Sequence, residues 1–114
     1  MTGSVKSGAV STVTTVSDII TAASGFTVSS ASVNIWGKVA QLTFNISKST
    51  AVTTDTNLTI ATVKSAYRPK ATANGIANTS TIKVMTLGTN GEISTYGQWS
   101  AGTSRTLSFV YLLP

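Results

Sequence analysis

Cysteine and histidine are both absent from this 114-residue chain, and only three acids, Asp18, Asp55 and Glu92, stand against eight lysines and arginines. Without cysteine no disulfide staples the fold, and nothing in thiol usage separates an oxidising compartment from a reducing one. Without either residue the commonest general base, the commonest zinc ligands and the thiol nucleophile are missing. The acids lie on separate segments, so their spacing suggests no glycosidase pair facing across about 5 to 9.5 Å. Serines are abundant, but no base is present to activate one. The composition therefore argues against an enzyme and leads us to expect neither a cofactor nor a metal site. No stretch approaches the roughly 18 consecutive apolar residues of a membrane-spanning helix, so membrane insertion is not expected. The opening MTGSVKSGAVSTVTTV lacks the basic start and apolar block of a secretory signal.

What is present is a Thr, Ser, Val and Ala texture. Threonine and serine make up about a third of the chain, a bias toward strands and turns, while charged residues are only 10%. The length fits one domain around one core. The net charge of +5 permits attraction to phosphate-rich partners. Of the basic residues only Lys64, Arg68 and Lys70 are close in sequence, too thin a stripe for a nucleic-acid footprint, so nucleic acid is an unlikely partner.

Residues 1–17 form a stretch of small side chains that reads as a neck or linker remnant ahead of a β-sandwich domain over 18–114. Within it and just after, SDIITAASG admits a two-turn helix with Ser17 as N-cap, but extended or irregular structure fits better. From Phe26 onward short apolar runs alternate with turn signals, as in an antiparallel sandwich. KVAQLTFNIS alternates cleanly, with Ala40, Leu42, Phe44 and Ile46 on one face. Val33 and Ile35 have the opposite parity, which predicts a tight reversal near Trp36 and Gly37. NLTIATV is a further strand. IKVMTL and EISTYGQW flank GTNG, where Asn90-Gly91 predicts a type I′ hairpin. The closing RTLSFVYLLP is apolar on both faces, which predicts cover on both sides. Apolar residues on nominally outer faces (Val39, Met85, Leu87, Val110, Leu112) exceed the needs of one small core. They fit either a two-sided core or a subunit interface.

The stretch AYRPKATANG gathers aromatic, basic, proline and glycine residues and reads as an irregular crossing. Pro69 biases Arg68 away from helix, Asn74-Gly75 offers a second turn, Tyr67 packs inward and Arg68 bonds carbonyls of the crossing. Three Asn-x-Ser/Thr triplets, at Asn45, Asn57 and Asn78, read as structure and not as modification sites, with Asn45 and Asn57 near strand ends.

The aromatic turns carry the strongest hint of binding. Trp36, Tyr96 and Trp99 sit beside glycines and near the hydrogen-bonding Asn34, Gln98 and Arg105, and aromatic faces beside amide and guanidinium donors suit a saccharide. For any single ring, a cap at the end of the sandwich with one edge wet is the better fit.

The order of segments GFTVSSASVNIWGKVAQLTFNIS, NLTIATVKSAYRP, IKVMTLGTNGEIS and TLSFVYLLP resembles the C-terminal head domain of phage receptor-binding and tail-fibre proteins. The resemblance runs from about residue 18 to the end, and WGKVAQLTFNI, YRP and LGTNGEI are its most specific pieces. It implies a jelly-roll β-sandwich, a homotrimer at the distal tail of the virion, contacts with other tail or baseplate proteins, and non-catalytic binding of a host cell-surface saccharide. Family sites combine an aromatic platform with Asp, His and Arg. Here Trp36 or Trp99 and Arg105 match the first and last parts, Asp55 or amides stand for the acid, and histidine is missing. With Tyr96 and Gln98 these are the expected contact residues. The positive charge suits an anionic glycan of teichoic-acid type. Two rival expectations are a structural trimerisation module, and a polyanion binder using Lys64, Arg68 and Lys70.

Overall fold

The structure, a computed structural model, describes residues 10–114; residues 1–9, the first part of the expected neck, lie outside the described residues. Nine strands run β1 (Val10–Val13), β2 (Ile20–Ala22), β3 (Phe26–Trp36), β4 (Val39–Lys48), β5 (Val52–Val63), β6 (Ala73–Ala77), β7 (Ile82–Leu87), β8 (Glu92–Trp99) and β9 (Arg105–Leu112). One helical turn, α1 (Val16–Ile19), precedes β2, and a 3-10 turn spans Ser65–Tyr67. The SDIITAASG stretch is thus a single turn capped by Thr15, not Ser17, which passes straight into a short strand. The fold is all-β. A single antiparallel sheet in the order β1-β3-β4-β9-β6-β7-β8-β5-β2 is curled into a half-barrel, so that its two halves share one interior.

The alternation in β4 works as its spacing predicts. Ala40, Leu42, Phe44 and Ile46 are buried, and antiparallel register sets Val33 opposite Leu42 and Ile35 opposite Ala40. The opposite parity of β3 and β4 is what a two-residue hairpin loop produces. Gly37 with φ +58 occupies its first central position, as a type II′ turn requires, and Trp36 faces Val39. From the other half Ile60, Val63, Leu87 and Ile93 complete the core, and Leu107, Phe109 and Tyr111 of β9 lie between the halves. The Phe44 and Phe109 rings stack, with centroids 6.4 Å apart. Burial of such side chains is worth roughly 1.5–3 kcal/mol each.

Four expectations are corrected. The hairpin after β7 is not type I′. Gly91 alone has positive φ (+86) and Asn90 does not, while the Gly91 N–H donates to the Gly88 carbonyl at 2.9 Å. A turn ending in a left-handed glycine closes it instead, and Asn90 Oδ1 accepts the Glu92 N–H at 3.0 Å, a bond that replaces a second strained residue. Asn74-Gly75 makes no turn. It lies in β6, where Ala73 and Asn74 pair with β7 and Gly75 to Ala77 pair with β9, so this short strand welds the halves. Glycine is needed at 75 because a Cβ there would lie 2.5 Å from the Phe109 ring. Met85 and Leu87 point into the core and are not outer residues. The outer face of β9 is not covered by the described residues, since Val110 and Leu112 are 62% and 56% exposed.

The AYRPK corner is built as its residues suggest. Tyr67 packs against the core, its carbonyl accepts the Tyr111 hydroxyl at 2.6 Å, and Arg68 Nε donates to the Val63 carbonyl at 2.9 Å. Burial pushes the Tyr111 phenol up to about 12. Gly91 leaves room for this arginine, because a Cβ at 91 would meet Arg68 Nε at 2.6 Å.

Candidate functional site

Strands β5, β8 and β7 lie side by side, and on their outer face Tyr96 of β8 stands opposite Asn57 of β5 and Val84 of β7. Two irregularities shape the next level. The β5 register shifts between Val52 and Thr56, and the β7 register shifts between Ile82 and Val84. A bulge turns its extra residue out of the ladder. The residues in these two bulges include Asp55 and Lys83, and they meet across β8, with Lys83 Nζ 2.5 Å from Asp55 Oδ2. Between them Gln98 donates from Nε2 to Asp55 Oδ1 at 3.3 Å. Gly97, just before Gln98, admits no side chain, because a Cβ would lie 2.8 Å from Ile82 Cα, so β7 and β8 close up beneath the polar cluster.

The pair tunes both of its members. The Lys83 ammonium bonded to Asp55 holds its carboxyl below the ordinary 3.8, against a smaller opposing effect of desolvation. The Asp55 carboxylate in turn raises Lys83 above 10.5. Both stay charged throughout the neutral range, so the cluster presents a fixed ion pair on this face.

Beside Gln98 lies an open depression of about 340 Å³ whose rim carries Thr53, Thr81 and Ser100 and whose lining includes Trp99. Arg105 reaches this end of the sheet from the start of β9, donating from its NH2 group to Ser100 Oγ at 3.1 Å. Its Nε, like Trp99 Nε1, is buried with no protein partner.

Asp55, Tyr96, Gln98, Trp99 and Arg105 are therefore gathered around one end of the half-barrel, and Trp36 is not. Trp36 neighbours Val39 whereas Arg105 neighbours Ile46, seven residues further along β4. That separation is about 23 Å of strand. Trp99 is also not an open platform: it is 2% exposed, and its ring stands edge-on to Phe26 with centroids 5.2 Å apart. The burial follows from parity, since Trp99 shares the inward face of β8 with Ile93 and Thr95. Tyr96, at 38% exposure, is the aromatic surface of this end. Lys83 is the residue that sequence reasoning missed. It sits in a largely apolar strand and its partner comes from β5, so only the alternation break at Lys83-Val84 hinted at it.

Of the Lys64, Arg68 and Lys70 trio, Lys64 and Lys70 are exposed, while Arg68 is half-buried and its Nε donates to the Val63 carbonyl. Among the described residues no group of three acids, histidines or cysteines is placed to hold a metal ion, and no helix is long and apolar enough to cross a membrane. No protein-family model matches the chain, and no curated protein matches it.

Proposed function

We propose that this chain is the receptor-binding head of a phage tail-fibre or baseplate-tip protein, a jelly-roll domain that works as a homotrimer at the distal tail. It docks reversibly, without chemistry, on a saccharide of the host bacterial surface. The observation that supports this most is the outer cluster of β5, β8 and β7. The Asp55–Lys83 pair and the Gln98 amide lie on the same face as the half-exposed Tyr96 ring and next to a hydroxyl-rimmed depression. Sugars are held by such a combination, with C–H faces on a ring and hydroxyls on paired acceptors and donors. Arg105 and the net charge of +5 favour a glycan carrying phosphate or carboxylate. Three shallow sites on one assembly gain avidity of roughly 10² to 10⁴.

The test is adsorption of the purified chain to host cells and to their extracted wall polysaccharide, with glycerol phosphate and neutral sugars as competitors. Competition by either, lost in Asp55→Asn with Gln98→Ala, supports the reading. Adsorption that survives both substitutions and every competitor overturns it. A second reading, a structural module that trimerises a fibre, is favoured by the uncovered Val110 and Leu112. Assembled variants that fail to adsorb exclude it.

A further inference from the structure

The two outer faces of the half-barrel differ in chemistry. The β5–β8–β7 side carries Asp55, Lys83 and Glu92. Among the described residues, the outer side of β1, β3, β4, β9 and the second half of β6 bears no charged residue in its facing rows. Register makes these rows explicit. Val10, Trp36, Val39 and Leu112 stand side by side across four strands, and all four are exposed. The next row is Thr12, Asn34, Gln41 and Val110, and the one beyond it runs from Ser32 through Thr43 and Ser108 to Ile76, which is 72% exposed. Among the described residues, cations stand at the rim, where Lys38 Nζ is tied to the Pro114 carbonyl and the Lys70 backbone N–H to the Leu112 carbonyl.

The polar members of this face are largely paired with one another. Thr12 Oγ1 donates to Asn34 Oδ1 at 2.9 Å, Thr43 and Ser108 share a hydroxyl bond of 3.2 Å, and Thr106 Oγ1 donates to Asn45 Oδ1 at 2.7 Å. Covering a polar group costs most when it loses water and gains no partner. These groups keep their partners when covered, so the face can be dried at low cost, and the apolar row supplies the drive.

We propose that this face is where copies of the chain meet. Its charge argues for a second copy above other occupants. The chain carries +5, and two like-charged molecules approach most easily through a surface free of either sign. An acidic partner would find nothing there to pair with. The area is sufficient as well. Five strands about 4.8 Å apart, from three or four residues long in the second half of β6 and in β1 to eleven in β3, cover roughly 600 Å² in plan. The corrugated accessible surface is larger, and stable interfaces use roughly 800 Å² per partner. The inference rests on the self-assembly part of the function proposed above, and it is independent of the saccharide.

Sedimentation velocity of the full chain over a concentration series, at low and high salt, tests it. The wild type should self-associate, and more strongly at high salt because screening removes the residual repulsion. A Val110→Lys, Leu112→Lys variant should sediment as a monomer with an unchanged far-UV spectrum. Acrylamide quenching of the unmodified chain gives a second readout, which needs no variant: Trp36 emission should become less accessible as association proceeds. A wild type that stays monomeric at millimolar concentration overturns the proposal. So does a folded double variant that associates like the wild type, or quenching that does not change on association. A monomeric variant that still binds saccharide leaves both proposals standing. An assembly that forms through this face but ignores every glycan removes the receptor reading alone.

Discussion

Lys83 and Asp55 lie on strands that are not neighbours, yet their side chains close over β8 with Nζ 2.5 Å from Oδ2. Their contact is open to water, with side-chain exposures of 54% and 24%. Exposed pairs contribute little to stability. Lys83→Met and Asp55→Asn should therefore leave the melting temperature nearly unchanged while weakening saccharide adsorption. A large loss of melting temperature in either variant would assign the pair to the fold and not to binding.

The pair also sets a pH window. Asp55 is lowered, so the contact is complete above the ordinary carboxylate value of 3.8 and is lost only as pH falls through the depressed one. Lys83 is raised, so the contact is complete below 10.5 and is lost as pH rises through the elevated value. Adsorption that depends on this cluster should be flat from weakly acid to weakly alkaline pH and fall at the acid extreme. NMR titration of the Asp55 carboxyl should show a midpoint below 3.8.

Trp99 is a core residue at the end of the half-barrel. Trp99→Ala should cost about 3–5 kcal/mol in urea unfolding. Of the two tryptophans Trp99 should emit at the shorter wavelength, so Trp36→Phe should shift the native emission maximum to the blue. A red-shifted maximum in Trp36→Phe would place Trp99 in water.

Gly75 admits the Phe109 ring against the backbone of β6. Gly75→Ala should destabilise by roughly 1–3 kcal/mol through overpacking. Since β6 joins the halves, protection from hydrogen exchange should fall on β7 and β9 together. Loss confined to one of them would mean that β6 does not couple the halves.

Tyr111 should ionise only at about 12, because burial of its phenol disfavours the charged form. Its folded value lies above the ordinary 10.0, so this contribution to stability is whole below pH 10.0 and is lost as pH rises toward 12. Tyr111→Phe should remove the step at about 12 from an ultraviolet titration and flatten the alkaline limb of the stability curve.

Much of the architecture was legible from local pattern. The inward set of β4, the reversal at Gly37, the β7–β8 pairing and the corner at Tyr67 and Arg68 follow from period-two alternation and from residues whose backbone preferences act on near neighbours. The candidate site was legible only in part. Asp55, Tyr96, Gln98 and Arg105 come together, but Trp36 belongs to the other end and Trp99 to the core. Which turn aromatic stays wet depends on which side of the strand faces inward, and a Trp-Gly or Tyr-Gly pair does not carry that information.

The sequence by itself determined an all-β chain with little catalytic equipment, because alternation, turn residues and missing side-chain types are properties of short windows and of composition. Only the tertiary structure decided that Asn74-Gly75 is a strand welding two half-sheets, that bulges in β5 and β7 bring Lys83 to Asp55, and that one outer face carries no charge among the described residues. Each of these arises from register between strands distant in sequence, where the placement of one side chain depends on a partner that no local window contains.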